Sequence, residues 1–369
     1  MMKNNLPLNQ IINGDSIDIL KTFPRESVDV VFADPPYNLQ LQKELWRPNQ
    51  TKVDAVNDAW DKFDDFQAYD SFTVAWLEAV RAVMKPKSSI WVSGTYHNIF
   101  RVGKIMQDIG FWLLNTVVWY KRNAMPNFNG TRLKNDVEFV IWAKKSEKSS
   151  YHFNYQLMKR FNDEKQLGSV WEIPVTSRSE RLSDAGGNKL HSTQKPEALL
   201  RRILLAAGKP NDTVLDPFSG TGTTAAMAKY LHMNWIGIER DEQYIEPSRQ
   251  RIESVVPISS NDRLFQAFAQ TKPPKVEFRK LIKHGYLEIG QTLYLDKTDY
   301  EAQILENGSL KYNGHQGSIH QLGKQLKGTQ SCNGWTHWRY KDVESGEKML
   351  IDTLRHNYRL KEYDYDSLT

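Results

Sequence analysis

A single cysteine, Cys332, stands in 369 residues. That excludes an internal disulfide framework and suits a reducing compartment. No run of about 18 apolar residues exists, so no membrane-spanning helix is expected. Residues 1–10 lack the basic stretch and apolar run of a signal peptide, which makes a cytoplasmic location the expectation. His284, His315, His320 and His356 lack metal-ligand spacing, so no metal site is expected. Internal repeats and low-complexity tracts are also missing. What remains is an ordinary globular composition, 40% apolar and 25% charged, with room for one large domain and a smaller one.

The net charge of +5 is small but uneven: residues 121–210 alone carry 17 basic and 9 acidic side chains, a net of +8. Lys and Arg gathered this way suit a polyanionic partner, because they displace phosphate counterions. An ordinary basic surface would look the same.

Strands are expected at 11–15, 28–33, 89–93, 111–120, 137–143, 213–216 and 235–239. Helices alternate with them at 16–23, 69–84, 97–109, 197–208, 223–231 and 241–255. In the second of these helices Phe72, Ala75, Trp76, Ala79, Val80 and Val83 fall near helical spacing. Such alternation argues for an α/β fold with a parallel sheet. Residues 38–66 are polar and nearly without period, which reads as a long mobile loop of the kind that is usually functional or disordered. Residues 122–190 look like an insertion that touches a ligand rather than part of the sheet. The proline-containing stretch 257–275 is expected to link residues 1–256 to a second domain at 276–369.

Two stretches carry chemistry. In Val30-Val31-Phe32-Ala33-Asp34-Pro35-Pro36-Tyr37 an apolar strand is stopped at once by two prolines. The strand's carboxyl end therefore presents Asp34, the Pro35 carbonyl and the Tyr37 ring, where open α/β sheets bind ligands. The second is Gly220-x-Gly222-x-x-Ala225 between a strand and a helix, with Glu239 at the end of the next strand. By itself this turn fits a dinucleotide as well. Asp216 before the turn suits a cationic amino group, and Asp15, after another strand, suits an adenine amino group. An acid-lined pocket fits S-adenosyl-L-methionine, with its ammonium, ribose diol and adenine, better than a pyrophosphate. Each acid taken singly is more often a helix cap.

Asp34-Pro35-Pro36-Tyr37, His191 to Pro196, and Asp216-Pro217-Phe218-Ser219-Gly220-Thr221-Gly222-Thr223-Thr224, in that order, resemble the beta group of amino-DNA methyltransferases over residues 8–255. The string Asp34 to Leu41 and the element Gly334-Trp335-x-x-Trp338 further resemble the cell-cycle-regulated GANTC adenine methyltransferases of alphaproteobacteria and their restriction-modification relatives. The resemblance implies a Rossmann-like methyltransferase fold in circularly permuted order, catalytic half first. An inserted target-recognition region and a small C-terminal α+β domain complete it. It implies S-adenosylmethionine held by Asp15, His191, Ser192, Lys195, Asp216, Phe218, Gly220, Gly222 and Glu239. Asp34, Pro35 and Tyr37 become the catalytic set for a flipped adenine. Double-stranded DNA is the implied partner, with a homodimer and a bacterial, nucleoid-associated setting.

DNA contacts are expected from Arg122, Asn129, Arg132, Lys134 and Arg178, from the loop 39–62, and from Trp335, Arg339 and Lys341. Two tryptophans three apart are, however, more often a small domain's core. Cytosine-C5 methylation needs a cysteine nucleophile and is set aside, since Cys332 has no Pro-Cys setting. Cytosine-N4 transfer uses the same chemistry and stays open, as does an inactive DNA-binding module. Asp rather than Ser at position 34 favours adenine by analogy.

Overall fold

The computed structural model describes residues 6–39, 61–127, 130–183, 186–187, 189–191, 193–269, 274–343 and 345–363. The chain forms two compact units divided between residues 271 and 272.

In the first unit the elements run β1 (Gln10–Asn13), α1 (Ser16–Lys21), β2 (Val28–Ala33), α2 (Phe66–Val83), β3 (Met84–Gly94), α3 (Ile99–Asp108), β4 (Trp112–Tyr120) and β5 (Val137–Lys144). They continue α4 (Tyr155–Arg160), β6 (Val170–Glu172), α5 (Glu197–Ala207), β7 (Thr213–Asp216), α6 (Thr223–Tyr230), β8 (Asn234–Glu239), α7 (Ile245–Ser254) and α8 (Arg263–Ala269). The eight strands form one sheet in the order β1-β8-β7-β2-β3-β5-β4-β6.

From β1 to β3 all neighbours are parallel. The expected parallel sheet ends there, because β5 runs antiparallel to both β3 and β4. Parallel neighbours need a crossover, usually a helix. None stands between Tyr120 and Val137 among the described residues, so the chain turns back directly. A second correction concerns the stretch 122–190. Its β6 joins the sheet, parallel to β4, and buries Trp171 near Trp91.

Side-chain caps explain the helix starts. Asp15 accepts from the Ile17 and Asp18 amides, and Asp65 from Ala68. The inner face of α2 buries Tyr69, Trp76, Leu77, Val80 and Val83. Trp76, Leu77, Val80 and Val83 belong to one core cluster with Val31, Ile90 and Val92 of the central strands.

Strands β7 and β2 are the pair that positions the site. They are parallel neighbours, Val30 aligned with Val214 and Val31 with Leu215. After β7 the chain leaves by α6 to β8, and after β2 it leaves by α2 to β3, on the other side. The crevice between their carboxyl ends is therefore a topological switch point, the usual ligand position in such sheets.

The second unit runs α9 (Phe278–Lys283), β9 (Thr292–Leu295), β10 (Glu301–Ile304), β11 (Leu310–Tyr312), β12 (His315–Gly317), α10 (Ile319–Lys327), β13 (Trp338–Lys341), β14 (Lys348–Leu350) and α11 (Ile351–Tyr363). Its antiparallel sheet has the order β12-β11-β10-β9-β13-β14. Tyr312 pairs with His315, so Asn313 (φ 45°) and Gly314 (φ 82°) make a two-residue hairpin turn with both residues left-handed. Leu293, Leu295, Ala302, Ile304, Trp335 and Trp338 lie in its core.

Candidate active site

The loop after β2 is held by buried charges. Lys195 Nζ donates to Asp34 Oδ2 at 2.6 Å, and the Tyr37 hydroxyl donates to Asp34 Oδ1 at 2.7 Å. Glu138, from β5, lies 3.8 Å from the Lys195 ammonium and 3.4 Å from the Tyr37 hydroxyl. Lys121 closes the set with a 3.0 Å bond to Glu138 Oε1, and Ser93 sits 3.1 Å from the Tyr37 hydroxyl. Two carboxylates thus face two ammonium groups. Burial alone would depress the Lys195 ammonium, but Asp34 and Glu138 outweigh it and hold the group above the usual lysine value. Burial, with the same two carboxylates, pushes the Tyr37 hydroxyl well up, so Tyr37 stays neutral and donates. The Lys195 ammonium also lies 5.3 Å from the centre of the Tyr37 ring.

The turn after β7 is built differently. Asp216 accepts from the Phe218 amide at 3.0 Å and from the Thr224 hydroxyl at 2.5 Å. Among the described residues it forms no ion pair. Burial therefore raises its carboxyl to about 7, with the two hydrogen bonds opposing and Asp34 and Glu239 adding to the rise. Glu239 accepts from the Gly220 and Asp241 amides at 2.7 and 2.8 Å, and burial raises it too. Gly220 (φ 49°) and Gly222 (φ 71°) adopt the left-handed conformation the tight turn requires. A Cβ on Gly220 would stand 3.4 Å from the His191 ring, which itself packs on Tyr244. Phe218 is fixed edge-on against Trp76.

Both loops open into one cavity of about 610 Å³, lined among others by Asp15, Asp34, His191, Lys195, Asp216 and Glu239. Asp15 serves as the α1 cap through Oδ1 and lines this cavity as well. The lining offers acids at four strand ends and backbone carbonyls.

Comparison with known proteins agrees with this geometry. The DNA methylase family matches residues 28–250, and the Restriction Enzyme Adenine Methylase Associated family matches residues 260–364. The chain is 43% identical to the Type II methyltransferase M.HinfI of Haemophilus influenzae over 360 residues, 97% of this chain and 99% of that protein. The chain belongs to the DNA methylase family. A second relative, the Type II methyltransferase M2.LlaDCHI of Lactococcus lactis subsp. cremoris, is 39% identical over 66% of this chain and 88% of its own length. Among solved structures, the cytosine-N4-specific PvuII DNA methyltransferase shares the fold at a TM-score of 0.51 and 21% identity, covering 72% of this chain and 94% of its own.

The methylase uses S-adenosyl-L-methionine as cofactor. The donor set fits that group: among the described residues the buried Asp216 carboxylate has no ion-pair partner, Glu239 keeps acceptor capacity for hydroxyl donors, and the lining carries acids at four strand ends where a pyrophosphate would need cations.

Other expected positions are scattered. Ser192, Asn129 and residues 40–60 of the expected target-strand loop lie outside the described residues. Arg122 pairs with Glu172, Arg132 donates to the Tyr96 hydroxyl at 3.2 Å, and Lys134 and Arg178 are exposed. Trp335 is a correction: it is buried in the C-terminal core under the Arg355 guanidinium and is no surface contact. Arg339 is tied to Asp296 at 2.8 Å and to the Lys348 carbonyl, while Lys341 is exposed. Within the +8 segment, Lys121, Arg160 and Lys195 are buried, so its surface is less basic than its sequence. Sequence reasoning missed Glu138, Lys121, Ser93 and Asp61. No local pattern marks them, because Glu138, Lys121 and Ser93 reach the loop by packing across the sheet and Asp61 from the polar stretch after it.

Proposed function

We propose that this methylase is a site-specific DNA adenine-N6 methyltransferase acting on a flipped adenine in double-stranded DNA, within GANTC. The observation that carries it is the Asp34 carboxylate, fixed at the switch point beside the cofactor turn with two of its lone-pair positions already taken by Tyr37 and Lys195. A carboxylate offers about four such positions. One that remains, with the Pro35 carbonyl, accepts the two N–H groups of an exocyclic amine. Bonds in those directions favour a pyramidal nitrogen with its lone pair free to attack. The bound cofactor supplies an electrophilic methyl group. Fixed acceptors supply rate by orientation and cost no reorganisation during the reaction. Asp34 is the nearest base for the proton the nitrogen sheds after it becomes cationic.

Adenine rather than cytosine is supported by Asp at position 34 and by the C-terminal match to a family described as adenine-methylase-associated. The full-length similarity to a Type II methyltransferase supports a restriction-modification setting. A cell-cycle role, a nucleoid location and a homodimer rest on the resemblance alone. The proposal assigns Arg132, Lys134, Arg178 and Lys341 to DNA contacts. Sequencing the modified positions in DNA from a host expressing this chain tests the proposal. Methylated adenine in GANTC is the expected result; another sequence, or modified cytosine, overturns it.

A further inference from the structure

Asp61 lies outside every motif named above, yet it accepts three consecutive backbone bonds from the candidate catalytic loop. Its Oδ1 accepts from the Tyr37 amide at 2.5 Å and from the Asn38 amide at 2.9 Å, and its Oδ2 accepts from the Leu39 amide at 2.9 Å. The carboxylate is 4% exposed. Three consecutive backbone donors on one buried carboxylate leave the turn little freedom.

The turn needs such a hold. Asn38 is left-handed at φ 53°, a conformation uncommon for residues with a side chain but one that Asn tolerates. Its side-chain carboxamide is buried with no hydrogen-bond partner among the described residues. Strained and unsatisfied positions persist only where surrounding bonds over-determine them, and they cluster at active sites. A second tie lies one residue upstream, where the buried Tyr69 hydroxyl donates to the Pro36 carbonyl at 2.9 Å and accepts from Asn98.

We infer that Asp61 is a positioning residue for methyl transfer: its carboxylate fixes the Tyr37–Leu39 backbone and so the directions in which Asp34, Pro35 and Tyr37 meet the target amine. This builds on the proposed catalytic role of that loop.

Single-turnover transfer by full-length Asp61→Ala and Asp61→Asn, with amide hydrogen exchange at Tyr37, Asn38 and Leu39 and calorimetric cofactor binding, tests it. Asp61→Ala should lose transfer about 100-fold, the scale set by small misplacements of reacting groups. Asp61→Asn should lose less, because its amide oxygen still accepts at Tyr37 and Asn38 while its NH2 opposes the Leu39 donor. Exchange at the three amides should accelerate, with cofactor affinity within about threefold of the parent. Transfer close to the parent rate in Asp61→Ala overturns the inference. So does a lost rate with all three amides still protected. Asp34→Ala run in parallel separates the two claims: parent-like activity there removes the loop from catalysis, whatever Asp61 does.

Discussion

Asp34, part-buried, and Asp216, fully buried, stand at the carboxyl ends of adjacent parallel strands, and they are stabilised in opposite ways. Asp34 has an ammonium on one oxygen and a neutral hydroxyl on the other, within a set of two carboxylates and two lysines. Among the described residues Asp216 forms no ion pair and is bonded to dipoles, an amide and a hydroxyl, and its carboxyl rises to about 7. A carboxylate already matched by a cation is suited to accept from a neutral amine. One that lacks a cation is suited to receive it from the ligand. On the proposed function, the same residue type at neighbouring strand ends would serve substrate in one loop and cofactor in the other.

Substitutions should separate the two. The largest effect is expected from Asp34→Ala, which removes an amine acceptor. Transfer should fall by at least ~100-fold, the scale seen when one fixed electrostatic contact at a reacting centre is lost. Cofactor binding measured by calorimetry should largely survive. Activity within about tenfold of the parent would end the contrast between the loops.

Lys195→Met comes next. It leaves the part-buried Asp34 without its cation while Glu138 keeps Lys121, and breaking a fully buried pair costs about 3–5 kcal/mol, an upper bound here. Urea unfolding should show that loss; a change under about 1 kcal/mol would mean that the charge matching around Asp34 is unimportant.

Smaller in size is the pH response of Asp216. Its raised carboxyl means that the folded chain binds more protons than the unfolded one between about pH 4 and 7. Its contribution to stability therefore falls as pH rises through that window. Affinity for a cation-bearing cofactor should instead rise toward pH 7.5, by no more than about tenfold per pH unit. Asp216→Asn should flatten that rise. Affinity in the parent that is unchanged from pH 5.5 to 7.5 would break the comparison from the cofactor side.

Contiguous chemistry was legible in the sequence. Four residues from Asp34 to Tyr37 and the turn from Asp216 to Gly222 announce themselves, because each loop follows its own strand. The strand-helix alternation around β2 and β7 was legible too, but the strand order that makes their crevice a switch point came with the structure. Contacts made by packing were not. Glu138 reaches the loop from β5, a hundred residues on, and Asp61 reaches it from a polar stretch without period. Position 171 was hidden because a three-residue strand leaves no pattern. Trp335 misleads for a related reason: spacing of three places two rings together but does not say whether they face solvent or core. Of the cap roles weighed for the acids, Asp15 does cap α1 and still lines the cavity, so the two explanations were never exclusive.

The most direct test uses purified protein, S-adenosylmethionine with a labelled methyl group, and DNA digested to nucleosides after reaction. The label should appear in N6-methyladenine. Label in N4-methylcytosine would mean that the Asp34 loop holds the other amine, and no labelled nucleoside would contradict the account of the loop altogether.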